Sequence, residues 1–201
     1  SKILNSLINN KLYSFLKKKK MKTKYSGILD YGRNINSAFL LVRSLFLPNE
    51  INELIDQNTF KKGYIELDVL NTLNKDISNI KDTRLSIMYL EIKYYLCSKL
   101  LRDADWTSMA NSIELRTPLV DWSFFNKLIP LIKNDNSINK KLASKSMKDK
   151  IPKDIINRKK TGFVIPHDLY LKKMSYKKEY ANPIRDWSIL SYEKYLQNKK
   201  N

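Results

Sequence analysis

Residues 100–121, LLRDADWTSMANSIELRTPLVD, hold the densest set of chemically capable side chains in the sequence. Arg102, Asp103 and Asp105 arrive together after an apolar helical face of Leu85, Met88, Tyr89, Ile92, Leu96 and Leu100. Those positions recur at the spacing of an α-helix, and unpaired charge beside such a face is costly to bury. Asp105 or Thr107 can cap a new helix that carries Ser108, Met109, Ala110 and Ile113 on its small, apolar side. Pro118 pushes Thr117 out of the α region, so that helix cannot run far past Glu114. If the two helices form a hairpin, Glu114 and Arg116 come within reach of Arg102 and Asp105. Alternating charge at a helix junction is either a buried structural network or a ligand site. Spacing alone favours the network, with Asp121 as a cap for the helix after it.

A second set comprises Arg158, Lys159, Lys160, Thr161, Gly162 and Phe163, followed by Pro166. Gly162 frees the backbone and Phe163 can pin the loop to a core. A lysine held this way can set its ammonium against a phosphate, where charge develops during phosphoryl or nucleotidyl transfer. In a lysine-rich chain the same residues also read as two more surface lysines, and composition alone takes that reading. His167, the single histidine, follows Pro166 and reads as a surface or capping residue rather than a base. No ligand spacing supports a protein-bound metal.

The elements that must position these groups are helices. Residues 1–26 form a short amphipathic helix (Ile3, Leu4, Leu7, Ile8, Leu12, Phe15, Leu16) ending in lysines 17–20, fit for packing on a partner domain. Gly27 and Gly32 bracket a turn, and a helix follows over about 36–46. Pro48 stops it, and the next helix, from Asn49, places Glu50 and Glu53 in its first turn, where they suit the dipole. Residues 57–83 read as polar and irregular, broken at Gly63, with a weak helix near 65–73. A long helix over 82–102 leads into the motif helix, then one near 122–129 that Pro130 ends, then one over 140–150. With no internal repeat and no alternating strand pattern, the expectation is all-α.

Composition bounds the rest. The 201 residues are 42% hydrophobic and 11% aromatic, enough for one core. A lone Cys97 allows no internal disulfide and implies a reducing, cytoplasmic setting; its neighbours Tyr95, Leu96 and Leu100 suggest a core thiol. No apolar run is long enough to span a bilayer and no signal peptide is visible. A first residue of Ser rather than Met suggests a processed, trimmed or incomplete chain. Net charge is +18, from 38 Lys+Arg against 20 Asp+Glu, which raises a nucleic-acid reading. No zinc spacing, aromatic stacking motif or zipper accompanies the charge, so nucleic acid is a distant runner-up and the lysines read as solvated faces.

Leu101, Arg102, Asp105, Ser108, Met109, Ala110, Glu114, Arg116, Pro118 and Asp121 resemble the late motif of glutamine-dependent asparagine synthetases, L-L-R-x-x-D-x-x-S-M-A-x-x-x-E-x-R-x-P-x-x-D. Arg158, Lys160, Gly162, Phe163 and Pro166 match that family's R-x-K-x-G-F-x-x-P, and FLLVRSLFLPNEINELI resembles the segment before its late motif. The resemblance runs from about residue 28 to 171. It implies one helical subdomain (1–26 an amphipathic helix, 27–171 family-like, 172–201 a tail), the helical C-terminal portion of an α/β ATP-pyrophosphatase domain. It implies ATP with Mg²⁺ as cofactor, Lys160 as the catalytic group on the phosphates and Arg158 and Gly162 in support. It places Glu114 near the nucleophile or intermediate and Arg102, Asp105 and Arg116 in the polar framework. The parent reaction activates a carboxylate, aspartate by default, as an acyl-AMP and then admits ammonia. The family's N-terminal glutaminase Cys, its Ser-Gly-Gly-x-Asp-Ser loop and its Ser-Gly-x-Gly-x-Asp-Glu motif are not in this sequence. Four glycines in 201 residues do not build a phosphate cradle. The expectation is therefore a fragment or subunit whose partner segments lie in the same or another chain, with a non-catalytic helical helper as the alternative.

Overall fold

The computed structural model describes residues 27–135, 137–147, 150–159 and 165–200, and these contain helices and no strand. The helix expected over residues 1–26 lies outside the described residues, as do Lys160 and Gly162. The chain divides into two compact units, residues 1–95 with 165–201, and residues 96–164.

In the first unit, Gly27 and Gly32 flank the single turn α1 (Ile28–Tyr31). Helix α2 (Ile35–Arg43) starts where the Asn34 side chain accepts the Ser37 N–H at 3.1 Å. Helix α3 (Pro48–Leu54) opens on Pro48, whose missing N–H costs nothing at that position, and the Glu50 carboxylate accepts the Leu47 N–H at 2.8 Å. The expected irregular stretch is instead two helices, α4 (Gln57–Leu67) and α5 (Val69–Ile77). Asp56 caps the first by accepting the Thr59 N–H at 2.9 Å. Gly63 sits inside α4, and the break comes at Asp68, which takes a left-handed φ of 37°.

Helix α5 matters because Val69, Leu73 and Ile77 share one side of it at i, i+4 and i+8. Helix α6 (Thr83–Leu90), capped by Asp82 on the Leu85 N–H at 2.8 Å, supplies Leu90. Leu73, Ile77 and Leu90 form the core, with Ile35, Phe39, Val69, Ile80 and Tyr94 packed around them. The face turned inward on α6 is thus Ser86 and Leu90; Leu85 and Met88 are half-buried and Tyr89 is exposed, which corrects the face expected from sequence. Beyond α6 the chain runs as a π-helix, Glu91–Leu101, and within it Cys97 is exposed, not a core thiol. The physical reason is that wider i→i+5 turns move each side chain off its α-helical phase, and no residue of that segment is buried.

Lys93 and Tyr94 turn back to Asp76 on α5. The Asp76 carboxylate accepts from Lys93 Nζ at 2.7 Å and from the Tyr94 hydroxyl at 2.5 Å. Those bonds, Lys93 first and Tyr94 second, hold the Asp76 carboxyl below the usual carboxylate range. Burial, and then the bond to Asp76, push the Tyr94 phenol above its ordinary value.

Residues 172–201, read from sequence as a tail, contain helix α12 (Pro183–Lys200), which packs on α11 (His167–Lys173). Leu171 and Leu190 are buried there, and the Trp187 ring meets His167 at 5.7 Å and Tyr170 at 6.0 Å. Two charges are also buried. Asp186 is fully enclosed and accepts the backbone N–H groups of Glu179 at 2.9 Å and Tyr180 at 3.3 Å. Arg185 pairs with Glu50 of α3 and lies over the rings of Phe46 at 4.3 Å and Tyr180 at 4.7 Å. A buried charge is tolerated only when so satisfied.

In the second unit, α7 (Arg102–Met109) follows the π-helix directly and α8 (Trp122–Asn134) begins at Asp121, whose carboxylate accepts the Phe124 N–H at 2.9 Å as a cap. Pro130 lies inside α8 rather than ending it, where it has no N–H to donate to the Asn126 carbonyl. Helices α9 (Lys140–Ser146) and α10 (Lys153–Asn157) complete the unit. Among the described residues, no helix is long and apolar enough to cross a membrane.

Two consequences are measurable by urea unfolding. Asp186→Ala strands two backbone donors and should cost about 2–4 kcal/mol, whereas Asp186→Asn keeps one acceptor and should cost less. Asp76 is stabilising when ionised, above the pKa it has in the unfolded chain, and that contribution fades as pH falls through its lowered folded value. The stability gap between wild type and Asp76→Asn should therefore be largest near neutral pH and close on the acid side. A gap that does not change with pH would contradict the assignment.

Candidate functional site

The charged run lies on α7 and on the turn that follows it. Leu101 has α-helical angles and no capping bond, so the π-helix passes into α7 without the break expected at Asp105 or Thr107. The hydroxyls there serve the helix itself: Thr107 Oγ1 donates to the Asp103 carbonyl at 2.6 Å and Ser108 Oγ to that of Asp105 at 3.1 Å. The helix then stops well before Pro118. Ser112 takes a left-handed φ of 56°, the Ile113 N–H donates back to the Ser108 carbonyl at 2.9 Å, and the Ser112 N–H to that of Met109 at 3.0 Å. This is the paired-bond closure that usually employs glycine, achieved here with serine.

Because the helix is unbroken before Arg102 and ends at Met109, there is no helical hairpin and the four charges do not converge. Arg102 reaches Asp103 at 3.9 Å, with its guanidinium 5.3 Å from the Trp106 ring. Arg116 grips Glu114 through Nε to Oε1 at 3.0 Å and a second bond at 3.3 Å. Among the described residues no ion pair joins Arg102 or Asp105 to Glu114 or Arg116. The Arg116 and Glu114 side chains are 82% and 72% exposed, so their attraction is screened and contributes little to stability. Arg158 ends α10 and is exposed, as is Lys159.

The described part of the second unit contains no buried residue. Trp106, Met109, Ile113, Leu119 and Trp122 are all exposed, Leu119 by 79%. A nucleotide needs convergent N–H donors or enclosed cations, and Mg²⁺ needs grouped carboxylates. Neither arrangement exists among the described residues of the second unit, and among all the described residues no three of His, Cys, Asp and Glu gather as metal ligands. The described residues therefore do not fit ATP or its metal by themselves.

The first unit holds features that sequence reading missed. Arg43 Nε donates to Glu91 Oε1 at 2.8 Å, a second guanidinium bond goes to Oε2, and the guanidinium lies 3.7 Å from the Tyr95 ring centroid. This pairing raises the Arg43 pKa further above its ordinary value, the Glu91 bond being the main cause. Beside it an open cleft of about 400 Å³ is lined by Arg33, Phe39, Val42, Ile87 and Glu91 among others. Only the length of the intervening chain separates Arg43 from Glu91 in sequence, and no local pattern announces such a pair.

The asparagine synthase family model matches residues 11–198. Among curated proteins, asparagine synthetase [glutamine-hydrolyzing] 1 of Bacillus subtilis (strain 168) is 33% identical over 108 residues, which are 52% of this chain and 17% of that protein. The chain thus matches about a sixth of the length of this relative. No solved structure matches. With nearly all of its residues inside one family model, the chain belongs to the asparagine synthase family.

Proposed function

We propose that this chain is the C-terminal helical portion of an asparagine synthetase-like, ATP-dependent amidotransferase. The whole enzyme amidates a carboxylate, aspartate by default, with ammonia taken from glutamine. The observation that carries this reading is the family match over 11–198 together with the complete late motif and the Arg158 to Pro166 loop. The glutaminase segment and the nucleotide loop come from the same or a partner chain, since the described residues do not fit a nucleotide unaided. Lys160 is the group that meets phosphate, with Arg158 and Gly162 in support. Glu114 acts at the carboxylate or the incoming nitrogen, while Arg102, Asp105 and Arg116 frame the site. A lone exposed Cys97 suits a reducing, cytoplasmic setting.

A second reading, a helical helper subunit without catalytic residues of its own, is favoured by the exposed apolar side chains of the second unit. Both readings are separated by one reconstitution. The chain is combined with the Bacillus subtilis relative lacking its matched 108 residues, and pyrophosphate release from ATP, aspartate and ammonia is followed. Release that depends on this chain supports the amidotransferase reading. In that assembly Lys160→Ala should abolish release with folding intact, and undiminished release would remove Lys160 from the mechanism and favour the helper. Glu114→Gln and Arg116→Gln should leave the urea midpoint of the chain unchanged, because the pair is exposed. A large loss of activity from either would then report function rather than folding.

A further inference from the structure

The open cleft beside the Arg43–Glu91 pair lies wholly within the first unit and has a polarity of its own. Ile35, Phe39 and Val42 of α2 line it at i, i+4 and i+7, so its floor follows one helix for about 10 Å. Ile87 of α6 supplies part of the opposite wall. Ile35 and Phe39 also pack on the Leu73, Ile77 and Leu90 core, which fixes that floor. Arg33 stands just before α2 at one end, and Glu91, tied to Arg43 just past Val42, marks the other. Both Glu91 oxygens are taken by the Arg43 guanidinium, so that end carries little free charge. Arg33 is exposed and enters no ion pair among the described residues. Among the described residues that line the cleft, it is therefore the unbalanced charge.

A volume of about 400 Å³ is in the range of small-molecule sites, whose walls are mostly apolar with a few polar groups that fix orientation. A nucleoside phosphate needs several cations or convergent N–H donors, and this lining offers a single free guanidinium. A neutral apolar molecule gains nothing from Arg33. One anionic headgroup gains a charge-assisted, two-pronged hydrogen bond there. A single guanidinium balances a single negative charge, which favours a carboxylate over a phosphate dianion. We propose that this cleft binds an amphipathic monocarboxylate, its head on Arg33 and an apolar body of about 10 Å lying along Ile35, Phe39 and Val42 towards Glu91. None of these residues belongs to the charged motif, so the site stands or falls independently of the function proposed above.

Octanoate is the probe, titrated calorimetrically into the full chain at low ionic strength, with octanol as the body alone and acetate as the head alone. Octanoate should saturate a single site and bind about fivefold more tightly than octanol, and acetate should give no saturable heat. Added salt should narrow the advantage of octanoate. Arg33→Gln should remove that advantage, whereas Lys61→Gln on α4, which lowers the net charge equally, should leave it intact. Ala38 also lines the cleft, and Ala38→Phe, which sets a ring into it, should weaken octanoate and octanol alike by about tenfold. Circular dichroism checks that each variant folds. Equal binding of octanoate and octanol overturns the proposal and leaves a neutral apolar ligand as the occupant. An equal response to Arg33→Gln and Lys61→Gln also overturns it, because the anion is then held by the general field of a +18 chain. A folded Ala38→Phe chain that binds octanoate as the wild type does overturns it too, since the body then lies elsewhere. If Ala38→Phe does not fold, the Arg33 and Lys61 variants decide by themselves. Absence of saturable octanoate binding overturns the proposal outright.

Discussion

Leu90 is the side chain on which the first unit turns. It is fully enclosed, between Leu73 and Ile77 of α5 and the partly buried Ile35 and Phe39 of α2. Burying one aliphatic side chain of this size contributes roughly 1.5–3 kcal/mol, and among the described residues this cluster buries three, Leu73, Ile77 and Leu90. With so few, the fold leans on caps and polar pins to fix where each helix begins and which way it faces. Asn34, Asp56 and Asp82 set the starts of α2, α4 and α6, and the bonds from Lys93 and Tyr94 to Asp76 fix the side that α5 presents. Hydrophobic burial chooses the partners; the carboxylates choose the register.

The charges divide into two populations by environment. Asp186 and the Arg185 pair with Glu50 are withdrawn from water and meet donors, acceptors or aromatic faces, so removing a partner leaves a group stranded in low dielectric. Glu114 and Arg116, and Arg102 with Asp103, sit in water, where screening makes each pair nearly neutral for stability. A family motif made of charges that do not hold the chain together has a different use from one that does. Its residues are inexpensive to re-aim, which suits groups whose partners arrive from elsewhere.

Much of the fold was readable where local chemistry decides it. The turn between Gly27 and Gly32 and the Asp121 cap each follow from one or two adjacent residues and occur as read, and the helix read from Asn49 starts one residue earlier, on Pro48. The reading of 57–83 as irregular gave too much weight to Gly63 and to polarity; the spacing of Val69, Leu73 and Ile77 was the signal for a core helix. The inward face of α6 was misread because the pattern of Leu85, Met88 and Tyr89 continues into a segment that is not α-helical here. The expected charge cluster failed for a nonlocal reason. Spacing places Glu114 and Arg116 beyond a helix, but whether that helix doubles back depends on the closure at Ser112, and serine rarely takes the left-handed conformation that glycine would have advertised. The identity of the motif was legible because eleven fixed positions need no geometry to be recognised. Its three-dimensional arrangement was not, because nothing in those positions encodes the surface that would gather them.

The second unit makes this last point physically. Its described helices bury no residue, yet it carries Trp106, Met109, Leu119 and Trp122 on exposed faces beside the motif charges. Scattered apolar residues on a surface are ordinary, but among the described residues of this unit two tryptophans are exposed and none is buried, so its described helices gain little from hydrophobic burial. The free energy that would fix Arg102, Asp105, Glu114 and Arg116 relative to one another is therefore absent from this arrangement. It becomes available only when those apolar faces are withdrawn from water. In such a chain the positioning of functional charge is not a local property of the motif but a consequence of burial at its side, and the two must appear together.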